Sequence, residues 1–366
     1  MKNPSRRQFV LQATAAAATP FIAPRILRAG AKALNRKLGF AICGLGGLSE
    51  NQIAPALQKT AHCRLAGIIT DSPDKARTWQ SRYGIPTKSV YSYDTMDRLA
   101  HNPEIDVVYI VTPNAQHAEQ TLKAAAAGKH VMCEKPMEVS VEKCRQMIAA
   151  CAAAKVKLAV AYRCQFEPNN RECIRIAREK ELGALRMIEA SFCISVGDPG
   201  QWRLKRALSG GGALLDVGIY ALQATRYLTG EEPILVAGIE TKTDPVKYRE
   251  VDETVTWQAK FPSGVIALCS ASYELPPLAR FRGVTERGWF ELDPAFYYGG
   301  IRGRRSDGKE INLAGGDQFA AEMDDFARCI LSDQPSKVSG EEGLRDVQVM
   351  MGIYESIRTG RAVALS

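Results

Sequence analysis

The chain is poor in histidine, with four residues in 366, and in aromatic side chains, at 7%. His62, His101, His117 and His130 are scattered without zinc-ligand spacing, and none of the ten cysteines forms a Cys-x-x-Cys pair. Both facts argue against a metal site. Cys43, Cys133, Cys193 and Cys269 stand inside apolar, strand-like runs, which marks them as small core residues rather than a disulfide framework. Acids are missing from the first 30 positions, where Lys2, Arg6, Arg7, Arg25 and Arg28 supply +5 of the net +8. The +3 left for the body is too small a surplus to suggest a nucleic-acid partner.

What the N-terminus does contain is Ser5-Arg6-Arg7-Gln8-Phe9-Val10 and an Ala-rich, weakly apolar run to about Ala23. A basic start, a short apolar stretch and small residues predict a signal peptide over residues 1–30, and the paired arginines match the twin-arginine export type. The run is too short and too Ala-rich to span a bilayer comfortably. Cleavage is expected between Ala23 and Ala31, with a periplasmic or otherwise exported product. A twin-arginine substrate folds in the reducing cytoplasm, where free buried thiols are tolerable.

A length of 366 residues at 46% hydrophobic composition suffices for two packed domains. The first half alternates strand-like and helix-like segments, the mark of an α/β class. Strands are predicted over Leu38–Cys43, Leu65–Ile69, Val107–Val111, His130–Cys133 and Leu158–Ala161 in a sheet of about six. Helices are predicted over Asn51–Lys59, Pro73–Tyr83, Ala115–Ala127 and Val141–Ala154. This is an N-terminal Rossmann domain over residues 36–160. Residues 161–366 read as an α+β domain, with helices at Asn169–Lys180 and Leu214–Leu228. Its β-rich runs are Met187–Ile194, Ile234–Thr241, Thr254–Phe261, Val265–Tyr273 and Arg280–Leu292. Long strands in succession predict a large open, mostly antiparallel sheet with one face covered. A last helix, Leu344–Thr359, is expected to pack back between the domains.

Gly44-Leu45-Gly46-Gly47 follows the first strand and opens a helix. Gly44-x-Gly46-x-x-Ser49 is a dinucleotide fingerprint whose third glycine is replaced, which predicts slightly wider helix–strand packing. The choice of cofactor rests on the end of the second strand, Thr70-Asp71-Ser72-Pro73-Asp74-Lys75. With Thr70 in the decisive place and Lys75 nearby, NADP fits; with Asp71 there, NAD fits. The reading leans to NADP.

Glu134-Lys135-Pro136 after a late strand and Asp216-Val217-Gly218-Ile219-Tyr220 at a helix start join this loop in one pattern. Together they resemble the Gfo/Idh/MocA oxidoreductase family over nearly the whole chain from Leu38. Tyr162-Arg163-Cys164, Gln201-Trp202-Arg203-Leu204, Gly230-Glu231-Glu232-Pro233 and Gly340-Glu341-Glu342-Gly343 look like its glucose–fructose oxidoreductase branch. Much of the family has histidine where this chain has Tyr220; tyrosine there resembles the members acting at the anomeric carbon of aldoses. The resemblance implies a cis bond before Pro136. It also implies cofactor contacts by Tyr93, Pro113, Asn114, His117, Glu134 and Arg163, and a closing pair, Trp202 and Arg203. The long proline-rich arm of glucose–fructose oxidoreductase is missing or very short, although family members commonly pair through their open sheets.

The chemistry expected of these residues is hydride exchange with a sugar at C1, oxidising aldose to aldonolactone, either as a simple dehydrogenase or by passing hydride between two sugars on one retained NADP. Tyr220 is the expected acid/base, and Lys135 is expected to bring a cation near enough to favour its phenolate over a free pKa near ~10. Asp216, four residues before Tyr220, is expected to hold the sugar hydroxyl or steer Lys135. Two rival readings share these residues: a nicotinamide-dependent glycosidase and a non-catalytic sugar or cofactor sensor.

Overall fold

A computed structural model describes residues 36–365; the predicted export segment, residues 1–30, lies outside them. The first sheet contains β1 (Leu38–Cys43), β2 (Cys63–Ile69), β3 (Val90–Tyr91), β4 (Val107–Ile110), β5 (His130–Glu134) and β6 (Leu158–Ala161). All pair in parallel, in the order β3-β2-β1-β4-β5-β6. Every residue of β1, β4 and β6 is buried, as expected of strands covered on both faces. The strand order reverses between β1 and β4, which opens a crevice at their carboxyl ends.

The helices of this half are α1 (Ala54–Leu57), α2 (Pro73–Tyr83), α3 (His117–Ala126) and α4 (Val141–Ala153). Ser72 and Ser140 accept hydrogen bonds from the amides of Lys75 and Lys143 and so start α2 and α4. Gly84 ends α2 in the left-handed conformation, at φ 66°. β3 is two residues long, too short to leave a periodicity in the sequence.

After α5 (Pro168–Arg178) comes β7 (Leu185–Cys193), then α6 (Ile219–Thr229), which a π-helical turn at Leu214–Gly218 precedes. β8 (Leu235–Thr241), β9 (Thr254–Lys260), β10 (Ile266–Ser272), β11 (Leu278–Thr285) and β12 (Gly288–Leu292) follow. With the short β13 (Gly303–Arg305), β14 (Glu310–Ile311) and β15 (Val363–Ala364) they build a nine-stranded sheet, β14-β13-β12-β11-β7-β10-β9-β8-β15. It is mixed but mostly antiparallel; β7 and β10 pair in parallel. Burial alternates along β9, β10 and β11, so one face is packed and the other is open, with Ile239, Ile266 and Leu268 exposed on it.

Two differences from the sequence reading have local causes. The run Arg280–Leu292 is a hairpin, turned over Glu286-Arg287, where the Glu286 carboxylate accepts the Ala184 amide. A helix the periodicity did not single out, α7 (Gln318–Leu331), starts where the Asp317 carboxylate accepts the amides of Phe319 and Ala320. It returns to the first sheet, where the Asp324 carboxylate accepts the amides of Ala61 at 2.9 Å and His62 at 2.7 Å.

The last helix, α8 (Gly340–Thr359), touches both sheets. Gly343 lies against Met137 and Val160, where a Cβ would come within 2.8 Å of either side chain. Further along, Ile353 packs over Gly238 of β8. Asp346 on the same helix meets the buried Arg226 of α6 at 2.6 Å.

Candidate active site

The crevice begins where β1 ends. Gly44 has φ +96°, and a Cβ there would lie 2.8 Å from the Val111 carbonyl, so only glycine fits without strain. A Cβ on Gly46 would meet nothing within 4 Å. The backbone at Gly46 is therefore open to whatever occupies the crevice, as a pyrophosphate-binding turn requires. Ser49, in the place of the third glycine, is fully buried, and its hydroxyl donates to the Gly44 carbonyl at 2.6 Å.

At the end of β2, Thr70 directly follows the strand, and its Oγ1 accepts the Ser72 amide. The Asp71 carboxylate turns aside to accept the Tyr93 amide at 3.0 Å. Lys75 lays its ammonium on the Leu45 carbonyl at 2.9 Å, at the mouth of the glycine turn.

Two cavities meet beyond this turn. One, of about 420 Å³, runs along Gly46, Gly47, Thr112, Asn114, His117 and Trp202. The other, of about 600 Å³, is walled by Tyr220, Arg163, Phe192, Phe296 and Gln201. Glu134, Lys135, Arg203, Asp216 and Tyr298 line both.

Lys135 stands at this junction because β5 ends at Glu134 and the next peptide, Lys135–Pro136, is cis. Its Nζ donates to the Asp216 carbonyl at 2.7 Å and to Oδ1 at 2.9 Å. Asp216 Oδ2 accepts from Arg203 Nε at 2.8 Å and from Tyr273 Oη at 2.9 Å. Burial alone would raise the Asp216 pKa. The Lys135 ammonium, the Arg203 guanidinium and the hydrogen bond from Tyr273 outweigh it and hold the carboxyl well below the usual range. With two cations and a phenol already on it, Asp216 steers Lys135 rather than offering itself to a sugar hydroxyl.

Tyr220 has a different neighbourhood from the one the sequence suggested. Lys135 Nζ lies 5.0 Å from its ring centroid, and the Arg163 guanidinium lies 4.7 Å away. Phe192 and Phe296 pack against the same ring. Burial pushes the phenol pKa upward, and the opposing pull of Arg163 does not reverse it. The expectation of a phenolate favoured by Lys135 is corrected: the lysine is held by Asp216, and burial favours the protonated form of Tyr220.

Other predicted contacts are redistributed in the same way. His117 is buried with both ring nitrogens facing backbone carbonyls, Nε2 at 2.9 Å from Thr112 and Nδ1 at 3.0 Å from Pro136. It pins the β4 loop to the Lys135–Pro136 turn. Asn114, after Pro113, donates to the Ser209 carbonyl at 2.9 Å and so ties that loop to the second half of the chain. Arg163 lines the larger cavity. It donates to Gln318 Oε1 and to the carbonyls of Phe296 and Tyr297. Tyr93, Thr70 and Lys75 line neither cavity and flank the glycine turn. Trp202 carries the Arg203 guanidinium 4.7 Å above its ring. Tyr273, Tyr298, Phe319 and Glu322 were not foreseen; Tyr273 reads as one more apolar residue of a strand.

Residues 38–162 match the Gfo/Idh/MocA oxidoreductase family with its NAD-binding Rossmann fold, and residues 170–291 match the family's C-terminal domain. The chain is 30% identical over 341 residues to the NADP(+) D-xylose 1-dehydrogenase of Haloarcula marismortui, spanning 91% of this chain and 94% of that one. The chain belongs to the Gfo/Idh/MocA family. A second D-xylose 1-dehydrogenase, from Haloferax volcanii, is 29% identical over 89% of this chain and 99% of its own. Among solved structures, the aldose–aldose oxidoreductase of Caulobacter crescentus is 42% identical, with a TM-score of 0.88, over 90% of this chain and all of that one. In this chain the two cavities meet at Lys135.

Proposed function

We propose that the protein is an NADP-dependent sugar oxidoreductase acting at C1 of an aldose and passing hydride between two sugars on a retained cofactor. The meeting of the two cavities at Lys135, Asp216 and Arg203 carries this reading. The smaller cavity, open at Gly46, suits the dinucleotide, and the larger one, with Tyr220 in its wall, suits the sugar. Bound NADP would take hydride from one sugar and return it to another; the protein's share is orientation and one proton. Tyr220, neutral in its aromatic enclosure, is set to donate that proton to a carbonyl oxygen and to regain it from a hydroxyl. Asp216 and Arg203 fix Lys135 at the point where the two cavities join.

Three observations support the details. Thr70 in place of an acid directly after β2, with Asp71 turned to the Tyr93 amide and the Lys75 ammonium on the Leu45 carbonyl of the glycine turn, favours a 2′-phosphate. The two xylose dehydrogenases named above are NADP(+) enzymes acting at C1, and the Caulobacter relative is an aldose–aldose oxidoreductase. The Arg6-Arg7 segment favours export, where no cytoplasmic pool would renew a soluble cofactor, so regeneration between two sugars suits the setting.

The test is to purify the protein, denature it and assay released NADP(H), then supply the native protein with single aldoses and with sugar pairs. Bound NADP and joint formation of an aldonolactone and a reduced sugar are the expected results. Release of a free sugar from a glycoside without redox change would replace this reading with a hydrolase.

A further inference from the structure

Three buried groups lie behind the junction of the cavities, two of them without a part in the chemistry above. Tyr109 is on β4, Glu134 ends β5 and Glu322 is on α7. Tyr109 Oη lies 2.9 Å from Glu134 Oε1 and 3.2 Å from Glu322 Oε1. Glu134 Oε2 accepts the Lys135 amide at 3.2 Å. Glu322 Oε2 is buried with no partner.

A phenol has one hydrogen and cannot donate it fully to two carboxylates. Two carboxyl groups facing one phenol oxygen, both out of water, strongly disfavour double ionisation. The surrounding cations relieve this only in part. Burial raises both carboxyls and outweighs the downward pull of Lys135 and Arg163 on Glu134 and of Arg163 on Glu322, and Asp317 adds a further negative charge toward Glu322. Arg163 directs its Nη groups to Gln318, Phe296 and Tyr297, and Lys135 Nζ is held by Asp216. Burial pushes the Glu322 carboxyl well above its ordinary range.

With one proton shared by the two carboxyls, the hydrogen bonds allow two arrangements. In one, Glu322 Oε1–H donates to Tyr109 Oη, and Tyr109 donates to an ionised Glu134. The other is its mirror image, with the charge on Glu322. The first has the Lys135 amide as a second donor to the charged group.

We propose that Glu134 and Glu322 hold one proton between them through Tyr109, carried by Glu322 while the cofactor ring beside Glu134 is oxidised and cationic, and passed to Glu134 when that ring is reduced and neutral. The transfer moves no electrons. The Glu322 proton goes to Tyr109 Oη as the Tyr109 proton goes to Glu134 Oε1, and the pair keeps a total charge of minus one. The charge facing the ring thereby follows the charge of the ring. This rests on the reading that a nicotinamide lies at Glu134, which borders both cavities.

The test is infrared spectroscopy of the full protein, without dinucleotide and loaded with NADP+ or NADPH. A protonated-carboxyl stretch is expected at neutral pH in all three states, shifting between the two loaded forms and missing in Glu322→Gln. In that variant Glu134 stays ionised, so the affinity for NADPH relative to NADP+ should fall about tenfold, the equivalent of one pKa unit of coupling. Tyr109→Phe, which keeps both acids but breaks the relay, should keep the band and abolish its shift. Absence of the band in the unloaded protein, its survival in Glu322→Gln, or an unchanged affinity ratio in that variant would overturn the proposal. Should neither dinucleotide bind, the cofactor reading and the transfer fall together, while the band alone still reports the shared proton.

Discussion

Enclosed by Phe192, Phe296 and the Arg163 guanidinium, Tyr220 is favoured in its protonated form, and it lines the larger cavity beside Lys135. Tyr220→Phe keeps the ring packing and should lower kcat by about 10²–10⁴-fold, with little change in thermal midpoint; steady-state kinetics beside a melting curve will show both. Asp216 makes a pH-dependent contribution of defined sign. Its folded pKa is depressed, so its stabilisation is complete above the unfolded value and is lost as pH falls toward the folded one. The difference in unfolding free energy between the native protein and Asp216→Asn should be constant above about pH 5 and shrink below about pH 4, given an unfolded carboxyl near 3.9. Urea titrations across that range measure it. Lys135, Asp216 and Tyr220 were legible because a lysine between Glu134 and Pro136, and an acid and a tyrosine four apart, leave local patterns. Their pairing was not. Which group Lys135 meets depends on where β5 ends against a turn 81 residues later, and Tyr273 shows its hydroxyl's role only once β10 is placed.

At the scale of elements, the glycine turn separates folding from binding within three residues. Gly44→Ala would force a Cβ against the Val111 carbonyl at positive φ and should cost about 1–3 kcal/mol of stability. Gly46→Ala adds a methyl to open space, so the protein should melt as before while its affinity for NADP+ drops. Calorimetry and a dinucleotide titration on the same two variants separate the effects. The boundaries of β1, α2 and β6 could be read from sequence because an apolar run or a capped amphipathic stretch specifies each one locally. β3 carries too few residues for a pattern. α7 was hidden because its start depends on one carboxylate, Asp317, capping a segment that follows irregular chain. That omission also hid Glu322 and Phe319, which belong to the site only through the path of α7.

At the scale of the molecule, the open face of the second sheet exposes Ile239 on β8 and Ile266 and Leu268 on β10, with β9 between them. An apolar patch of this kind favours association, and the pairing expected from the sequence is between two copies through this face. Light scattering should give twice the chain mass, and Ile239→Asp should return it to one. Finally, exchanging the nine-stranded sheet between relatives by joining chains near residue 162 should disturb the first half. Helix α7 comes after that sheet's long strands in sequence, yet its Asp324 holds the Ala61 and His62 amides of the first half, and the Val338 carbonyl accepts from Val160 of β6. A chimera built with a single crossover would carry a foreign clasp on its own cofactor half. One with two crossovers, which retains residues 317–343 from the same parent as β1 to β6, preserves it. The second sheet should therefore transfer between relatives as an inserted middle segment rather than as an exchanged tail.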